Sequence, residues 1–138
     1  MDVEMIRAQL GTAQPWEKRP DGYWLEDPLL KVRDMARCMV RNGARLMTVT
    51  ATPVAGGEQR LAYHWDLEGQ VTTLIAGTHQ NTIDTIVDIC PAADWIEREI
   101  HDYFAVSFAG RQSTPPLTLR PNDPPGFFFW KGQDGEQS

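Results

Sequence analysis

The sequence has only two cysteines among its 138 residues, Cys38 and Cys90, and no Cys-x-x-Cys pair. Two thiolates cannot complete the four-ligand set of a structural zinc site or of an iron-sulfur cluster. We expect both cysteines to be buried, reduced thiols, with a disulfide or redox pair as the alternative. The thiolates of this chain alone therefore predict neither a zinc site nor a cluster.

Blocks of basic residues and long apolar runs are missing as well. Thirteen Lys and Arg residues face nineteen Asp and Glu residues, which gives a formal net charge of -6. Without clustered cations to neutralise phosphates, the sequence argues against a nucleic-acid partner. No apolar run approaches the roughly 20 residues of a membrane span, and the first four residues do not resemble a signal peptide. We expect a cytoplasmic protein that reaches a membrane only through partners.

Periodic apolar residues predict three helices and four main strands. The helices are expected at 3–10, 28–42 and 91–105, the second with Asp27 as N-cap, Pro28 at its first position and Leu29 on its apolar stripe. The strands are expected at 45–51, 59–67, 70–76 and 82–89, after a brief extended piece at 23–25. Strands in one layer and two main helices in another give a two-layer α+β sandwich with a mostly antiparallel sheet, which we assign to residues 1–110.

The remaining residues, 111–138, have a different character. Five of the ten prolines lie between Pro115 and Pro125, and four consecutive aromatic residues follow, from Phe127 to Trp130. Proline at this density disfavours helices and central strands, so an extended Pro-rich C-terminal arm is predicted. Its aromatic residues either fold back over the core of their own domain or insert into another protein. In the second case the chain would be a free-standing interaction module.

The predicted helix at 91–105 carries an unusual density of charge. Ile96, Ile100, Tyr103 and Phe104 recur with helical spacing and build an apolar face, while the charged residues fall elsewhere on the helix. Such a polar face is most often simply solvated. A second interpretation is a small metal-dependent hydrolase that uses Glu97, His101 and Asp102, since side chains four residues apart converge on a helix. The other two histidines, His64 and His79, lie in no recognisable ligand context.

The run 93–110 also resembles the signature of the 30 kDa subunit of respiratory complex I. The same domain occurs as the equivalent subunit of energy-converting NiFe hydrogenases. The matching residues are Trp95, Glu97, Arg98, Glu99, Asp102, Phe104, Phe108 and Gly110. The chain departs from the signature where Ala105-Val106 replaces Gly-Ile and where Arg111 replaces a histidine. The basic cluster downstream is reduced to Arg120.

The resemblance implies a cofactor-free accessory subunit of a membrane-associated electron-transfer complex, not catalytic by itself. Its implied partners are the large subunit (49 kDa-like or NiFe) and the iron-sulfur subunits, at the cytoplasmic face of the inner membrane. The short chain favours an energy-converting NiFe hydrogenase, with the 30 kDa subunit of an NADH:quinone oxidoreductase (NADH dehydrogenase) as the alternative. The residues expected to dock on partners are the eight signature matches together with Arg120, Phe127 and Trp130. In this role the charged signature residues of the helix would face the partner, with Trp95 and Phe104 packing beneath them.

Overall fold

Three helices and seven strands make up residues 3–111, the part of the chain that this computed structural model describes. The helices are α1 (Val3–Leu10), α2 (Val32–Arg41) and α3 (Ala93–Phe104). The strands are β1 (Glu17–Arg19), β2 (Gly22–Glu26), β3 (Arg45–Pro53), β4 (Gln59–Leu67), β5 (Gln70–Gly77), β6 (Thr82–Asp84) and β7 (Ser107–Ala109). The arm predicted at 111–138, with Arg120, Phe127 and Trp130, lies outside these residues apart from Arg111.

Five strands form one sheet in the order β1-β2-β5-β4-β3. β3, β4 and β5 form the predicted antiparallel meander, and β1 pairs antiparallel with β2. β2 runs parallel to β5, with Tyr23 opposite Thr72, and this pairing was not predicted. The sheet is therefore mostly antiparallel and the α+β class is confirmed. β3 and β1 are its two edge strands.

The main core lies on one face of this sheet, where alternate side chains of β4 are fully buried, although Ala62 on the opposite face is buried as well. Leu61, Tyr63, Trp65 and Leu67 have no exposed surface and belong to the same apolar cluster as the buried residues of the three helices. Residues of β4 on the opposite face, such as Arg60 and His64, are partly exposed. A two-layer sandwich with helices on one side results. No helix among residues 3–111 is long and apolar enough to cross a membrane.

The predicted start of the second helix is wrong by four residues, because Asp27 and Pro28 form a turn. The Leu29 amide donates to Asp27 Oδ1 at 3.0 Å and the Leu30 amide donates to the Asp27 carbonyl oxygen at 3.0 Å. An aspartate that closes a turn on its own backbone competes with helix initiation. The helix begins at Val32, and Leu29 is 87% exposed where an apolar stripe was expected.

The strand predicted at 82–89 is also too long, since β6 ends at Asp84. After it the chain turns, and the Cys90 amide donates to the Ile86 carbonyl oxygen at 2.8 Å. β6 pairs in parallel with β7, the strand that follows α3 in the sequence, and Ile83 lies opposite Phe108. The third helix is confirmed within two residues at its start and one at its end, which is the usual uncertainty of helix boundaries.

Candidate docking surface

Two of the acidic side chains predicted for a docking face of α3 are buried. Glu97 is 1% exposed and Asp102 is 2% exposed. A charged group can be buried at tolerable cost only when hydrogen bonds or opposite charges replace the water it loses. The surroundings of Glu97 supply both.

Both oxygens of the Glu97 carboxylate accept hydrogen bonds from the segment that follows β6. The Thr85 hydroxyl donates to Oε1 at 2.5 Å and the Ile86 amide donates to Oε2 at 2.9 Å. These bonds explain why the alternating pattern of residues 82–89 does not continue as a strand, because the Ile86 amide is taken by a side chain. Glu97 thus fastens α3 to the turn at residues 85–90.

This turn is fastened to α2 by Arg33. Its guanidinium donates to the Thr85 carbonyl oxygen at 2.7 Å and makes two bonds to the Asp88 carboxylate, at 2.8 and 2.7 Å. The hydrogen bonds from Arg33 lower the pKa of Asp88 to about 2. The turn is consequently held from two helices at once.

Arg111 completes the surroundings of Glu97 from the other end of α3. Its Nη1 donates to Glu97 Oε1 at 3.0 Å, and its Nη2 donates to Asp94 Oδ1. Burial raises the pKa of Glu97 above its ordinary value, although all three donors act in the opposite direction. The position where the chain departs from the signature histidine therefore carries a cation that contacts the signature glutamate.

Thr85, Asp94 and Arg111 were not predicted as members of this cluster. The only signal available was the exchange at Arg111, which places a guanidinium where the signature has an imidazole. Neither the replacement of the histidine by Arg111 nor the sequence separation between Arg111 and Glu97 indicates that these two side chains are in contact.

Ala105 shows what the other departure from the signature means. It follows α3 in a left-handed conformation with φ 60° and ψ 27°, and its amide donates to the His101 carbonyl oxygen at 3.0 Å. Residues with a Cβ rarely adopt this conformation, and helices commonly end on glycine for that reason. The signature glycine is thus explained by backbone geometry, and this chain keeps the geometry without the glycine.

We expect Ala105→Gly to raise the free energy of unfolding by about 0.5–1 kcal/mol, because glycine adopts the left-handed conformation without strain. The greater backbone entropy of glycine in the unfolded chain offsets part of this gain. Urea unfolding followed by circular dichroism measures the change. Ala8→Gly, on the exposed side of α1, is the control and should lower the stability by about 1 kcal/mol. Equal losses for both variants would contradict the interpretation.

The exposed side of α3 carries a stripe formed by Trp95, Glu99 and Tyr103, which are spaced four residues apart. Trp95 is 62% exposed and Tyr103 is 43% exposed, and Glu99 is exposed between them. The expectation that Trp95 packs beneath the charges is wrong, because it stands outermost, and Tyr103 does not join the buried face. We call these three residues the α3 stripe.

The other signature residues take mixed positions. Phe104 is partly buried against the core and stacks edge-on against Tyr103, with ring centroids 4.7 Å apart. Phe108 packs partly against the core from β7, and Gly110 turns the chain with a positive φ of 87°. Arg98 is half-buried. The structure therefore brings the α3 stripe to the surface and uses the remaining signature positions inside the domain or at its boundary.

A groove of about 390 Å³ lies between α3 and the edge strand β3. Among residues 3–111, the side chains that line it come from these two elements: Thr48, Val49, Thr50, Ala51, Ile96, Glu99, Ile100, Tyr103 and Phe104. Two members of the α3 stripe thus form one wall of the groove. Most of the other lining side chains are apolar or threonine, which suits the burial of another polypeptide more than the binding of a charged metabolite.

The residues proposed for a metal-dependent hydrolase do not assemble a site. Glu97 is occupied by Thr85, Ile86 and Arg111, and His101 Nδ1 bonds to the Val106 carbonyl oxygen at 2.8 Å. Within residues 3–111 there is no group of three His, Cys, Asp or Glu side chains that could hold a metal ion. The geometry gives this hypothesis no support.

Both cysteines are buried and unbridged, as predicted. Burial raises the pKa of each thiol, which disfavours the reactive thiolate. Neither lies in the α3 stripe or lines the groove beside it.

Comparisons with known proteins agree with this architecture. The trypsin-resistant fragment (1-134) of Nqo5 has a TM-score of 0.63 at 19% identity, over 81% of this chain and 96% of the fragment, and shows the fold alone. A chain in the structure of the membrane-bound sulfane sulfur reductase (MBS), an archaeal respiratory membrane complex, has a TM-score of 0.64 at 25% identity, over 95% of this chain and 89% of its own. No curated protein matches the sequence. The family model described as "Respiratory-chain NADH dehydrogenase, 30 Kd subunit" matches residues 28–128, and because this match spans well over half of the sequence, the chain belongs to that family.

Proposed function

We propose that this chain is an accessory subunit of a membrane-attached electron-transfer complex, where it holds the large catalytic subunit and the iron-sulfur subunits together. It supplies no cofactor in this role and acts through its surface. The observation that carries the proposal is the family match over residues 28–128. Membrane attachment would come from the partner subunits.

The α3 stripe supports a docking role. Tryptophan and tyrosine are enriched among the residues that dominate binding energies, because each removes a large apolar area from water at low entropic cost. A monomer has no evident reason to keep Trp95 and Tyr103 exposed on either side of a single carboxylate, Glu99. Two of the predicted docking residues, Trp95 and Glu99, lie in this stripe, where a partner could touch them directly, and Tyr103 joins them although it was not predicted to dock.

Two observations bear on the type of parent complex, and they favour different ones. The similarity to a chain of the sulfane sulfur reductase complex covers 95% of this chain and 89% of the other, so it supports a compact subunit of a respiratory membrane complex. For such a compact subunit we propose an energy-converting NiFe hydrogenase as the parent. The name of the family favours the alternative, an NADH:quinone oxidoreductase. The two are separated by activity. Membranes from a strain that lacks this chain would lose hydrogen evolution in the first case and NADH-dependent quinone reduction in the second.

We expect the double change Trp95→Ala and Tyr103→Ala to weaken binding to the complex by at least about 30-fold, which is the effect of one aromatic hot spot of about 2 kcal/mol, because the contributions of neighbouring hot spots do not simply add. The full-length chain carries an affinity tag in its native cells, and mass spectrometry identifies the subunits recovered from detergent-solubilised membranes. The thermal unfolding midpoint of the isolated variant should change little, because both side chains are exposed.

The matched control is Leu29→Ala, which removes an 87% exposed side chain at the turn before α2, away from the α3 stripe. It should leave recovery of the partner subunits unchanged. If the tagged wild-type chain recovered no electron-transfer subunit, the proposed function would be wrong. If the double variant recovered the partner subunits as fully as the wild type does, docking through the α3 stripe would be wrong while the proposed function stood.

A further inference from the structure

The edge strand β3 leaves one side of its backbone unpaired. It is nine residues long, it pairs with β4 on one side, and within residues 3–111 no strand pairs with the other side. Soluble proteins usually blunt such an edge with a central proline, a lysine or an inward charge. Here Arg45 and Pro53 stand only at the two ends, and the stretch from Thr48 to Thr52 has no such protection apart from the irregularity between Leu46 and Thr48.

The groove beside β3 adds side-chain binding to this free backbone. Val49 and Ala51 point from the strand towards α3, where Ile96 and Ile100 form the opposite apolar wall. A strand added to β3 would place every second side chain on the groove side of the sheet. The groove is therefore positioned for alternate apolar residues of an incoming strand.

The charge of the groove favours a particular sequence in that strand. Glu99 is the only charged residue among its lining residues, and it is exposed. A carboxylate at the rim of an apolar groove selects a lysine or arginine on the incoming segment through charge complementarity. A second copy of β3 would not provide one, because its only cation, Arg45, stands at the end of the strand and is paired with Asp66 at 3.2 Å.

We propose that β3 accepts an extended strand of a neighbouring polypeptide, which has apolar residues at alternate positions and a lysine or arginine opposite Glu99. We take the neighbour to be a different chain because Arg111, the last described residue, lies on the other side of α3 from the groove. Arg111 is held by Asp94 and Glu97, whereas Tyr103, nine residues after Asp94, faces the groove. At about 100° per residue, Asp94 and Tyr103 point to opposite sides of α3. The inference rests on the proposed function in taking the neighbour to be a subunit of the same complex.

Site-specific photo-crosslinking in intact cells tests this geometry. The photoreactive amino acid p-benzoylphenylalanine replaces Thr48, Thr50 or Thr52, one at a time, in the full-length chain. All three are exposed and lie at alternate positions of β3. We expect each variant to crosslink to the same partner segment, at attachment points that shift by two residues between neighbouring sites. The control position is Lys18, which is exposed on the opposite edge strand β1 and should not crosslink to that segment.

Charge reversal tests the role of Glu99 in the same experiment. Glu99→Lys should lower the crosslink yield from Thr50 by about tenfold or more, because a like charge then meets the incoming cation. Glu4→Lys makes the same change of net charge on exposed α1 and should leave the yield unaltered.

The outcomes separate this inference from the proposed function. A two-residue ladder on a segment of an electron-transfer subunit supports both. The same ladder on an unrelated protein keeps the strand addition and overturns the proposed function. Crosslinks to residues 112–138, to β3 of a second copy, or at scattered positions on a confirmed electron-transfer subunit would overturn the strand addition alone.

Discussion

Glu97→Ala is expected to lower the free energy of unfolding by about 3–5 kcal/mol, the range for breaking a buried ion pair on one side. The loss leaves the Thr85 hydroxyl, the Ile86 amide and the Arg111 guanidinium without their acceptor, and Glu97 itself is 1% exposed. The segments before and after α3 would lose their common attachment. Urea denaturation at neutral pH measures the effect.

Two variants make this prediction specific. Glu97→Gln keeps the shape of the side chain and one acceptor oxygen, so it should cost less, about 1–3 kcal/mol. Glu99→Ala, two residues further along α3 and exposed, should change stability by no more than about 0.5 kcal/mol. A loss for Glu97→Ala as small as that for Glu99→Ala would show that the cluster does not stabilise the fold.

The pH dependence of these variants has a definite sign. Burial raises the pKa of Glu97 above its ordinary value of 4.5, so the folded state binds a proton more tightly than the unfolded chain. The stability that this titration contributes is complete at lower pH and is lost as the pH rises through the folded-state pKa. The advantage of the wild type over Glu97→Gln should therefore shrink as the pH rises above 4.5. An advantage that grows instead would place the pKa of Glu97 below its ordinary value.

Gly22→Ala is expected to be similarly disruptive, with a loss of about 4 kcal/mol from combined backbone strain and overpacking. Gly22 begins β2 with φ 137°, and a Cβ there would stand 2.1 Å from the carbonyl oxygen of Val71 in β5. Since the obstacle is backbone, no side-chain rotation relieves it. The parallel pairing of β2 with β5 would have to shift or open, and thermal unfolding would report the loss.

Gly57→Ala is the control for Gly22→Ala. Gly57 also has a positive φ, 81°, but nothing lies within 4 Å of a Cβ built on it. Only the conformational cost remains, about 1–2 kcal/mol. If the two variants lost equal stability, the close approach of β2 to β5 would not be the cause.

The sequence predicted the fold best where the signal is local. β4 occupies 59–67 as expected, because its alternation and its flanking glycines both lie within a few residues of the strand. The parallel pairing of β2 with β5 has no such local signal, since neither strand carries any mark of its partner. The same holds for β6, whose predicted extension ends where a glutamate from a later helix takes the Ile86 amide.

The candidate site shows the same division. Helical periodicity placed α3 and the apolar residues Ile96, Ile100 and Phe104 correctly but not Tyr103, and it cannot tell a solvated charge from a buried one. The burial of Glu97 depends on Thr85, twelve residues earlier, and on Arg111, fourteen residues later. The exposure of Trp95 could not be predicted either. A hydrophobic side chain is expected to be buried, but its hydrophobicity does not distinguish burial in its own domain from burial against a partner. The docking role of the α3 stripe therefore stays a prediction until the partners are identified.

The position of β2 also bears on the order in which this chain folds. β3, β4 and β5 are joined by the short turns at 54–58 and 68–69, so their contacts are local in sequence and form early. β2 cannot complete its pairing until β5 exists, and the loop that it closes contains α2 and two strands. During synthesis, the segment of α1, β1 and β2 leaves the ribosome first and joins the sheet last. Leu25 stays without its β5 neighbour Leu74 over that interval, so apolar surface that the finished sheet buries is exposed on the nascent chain until β5 has been made.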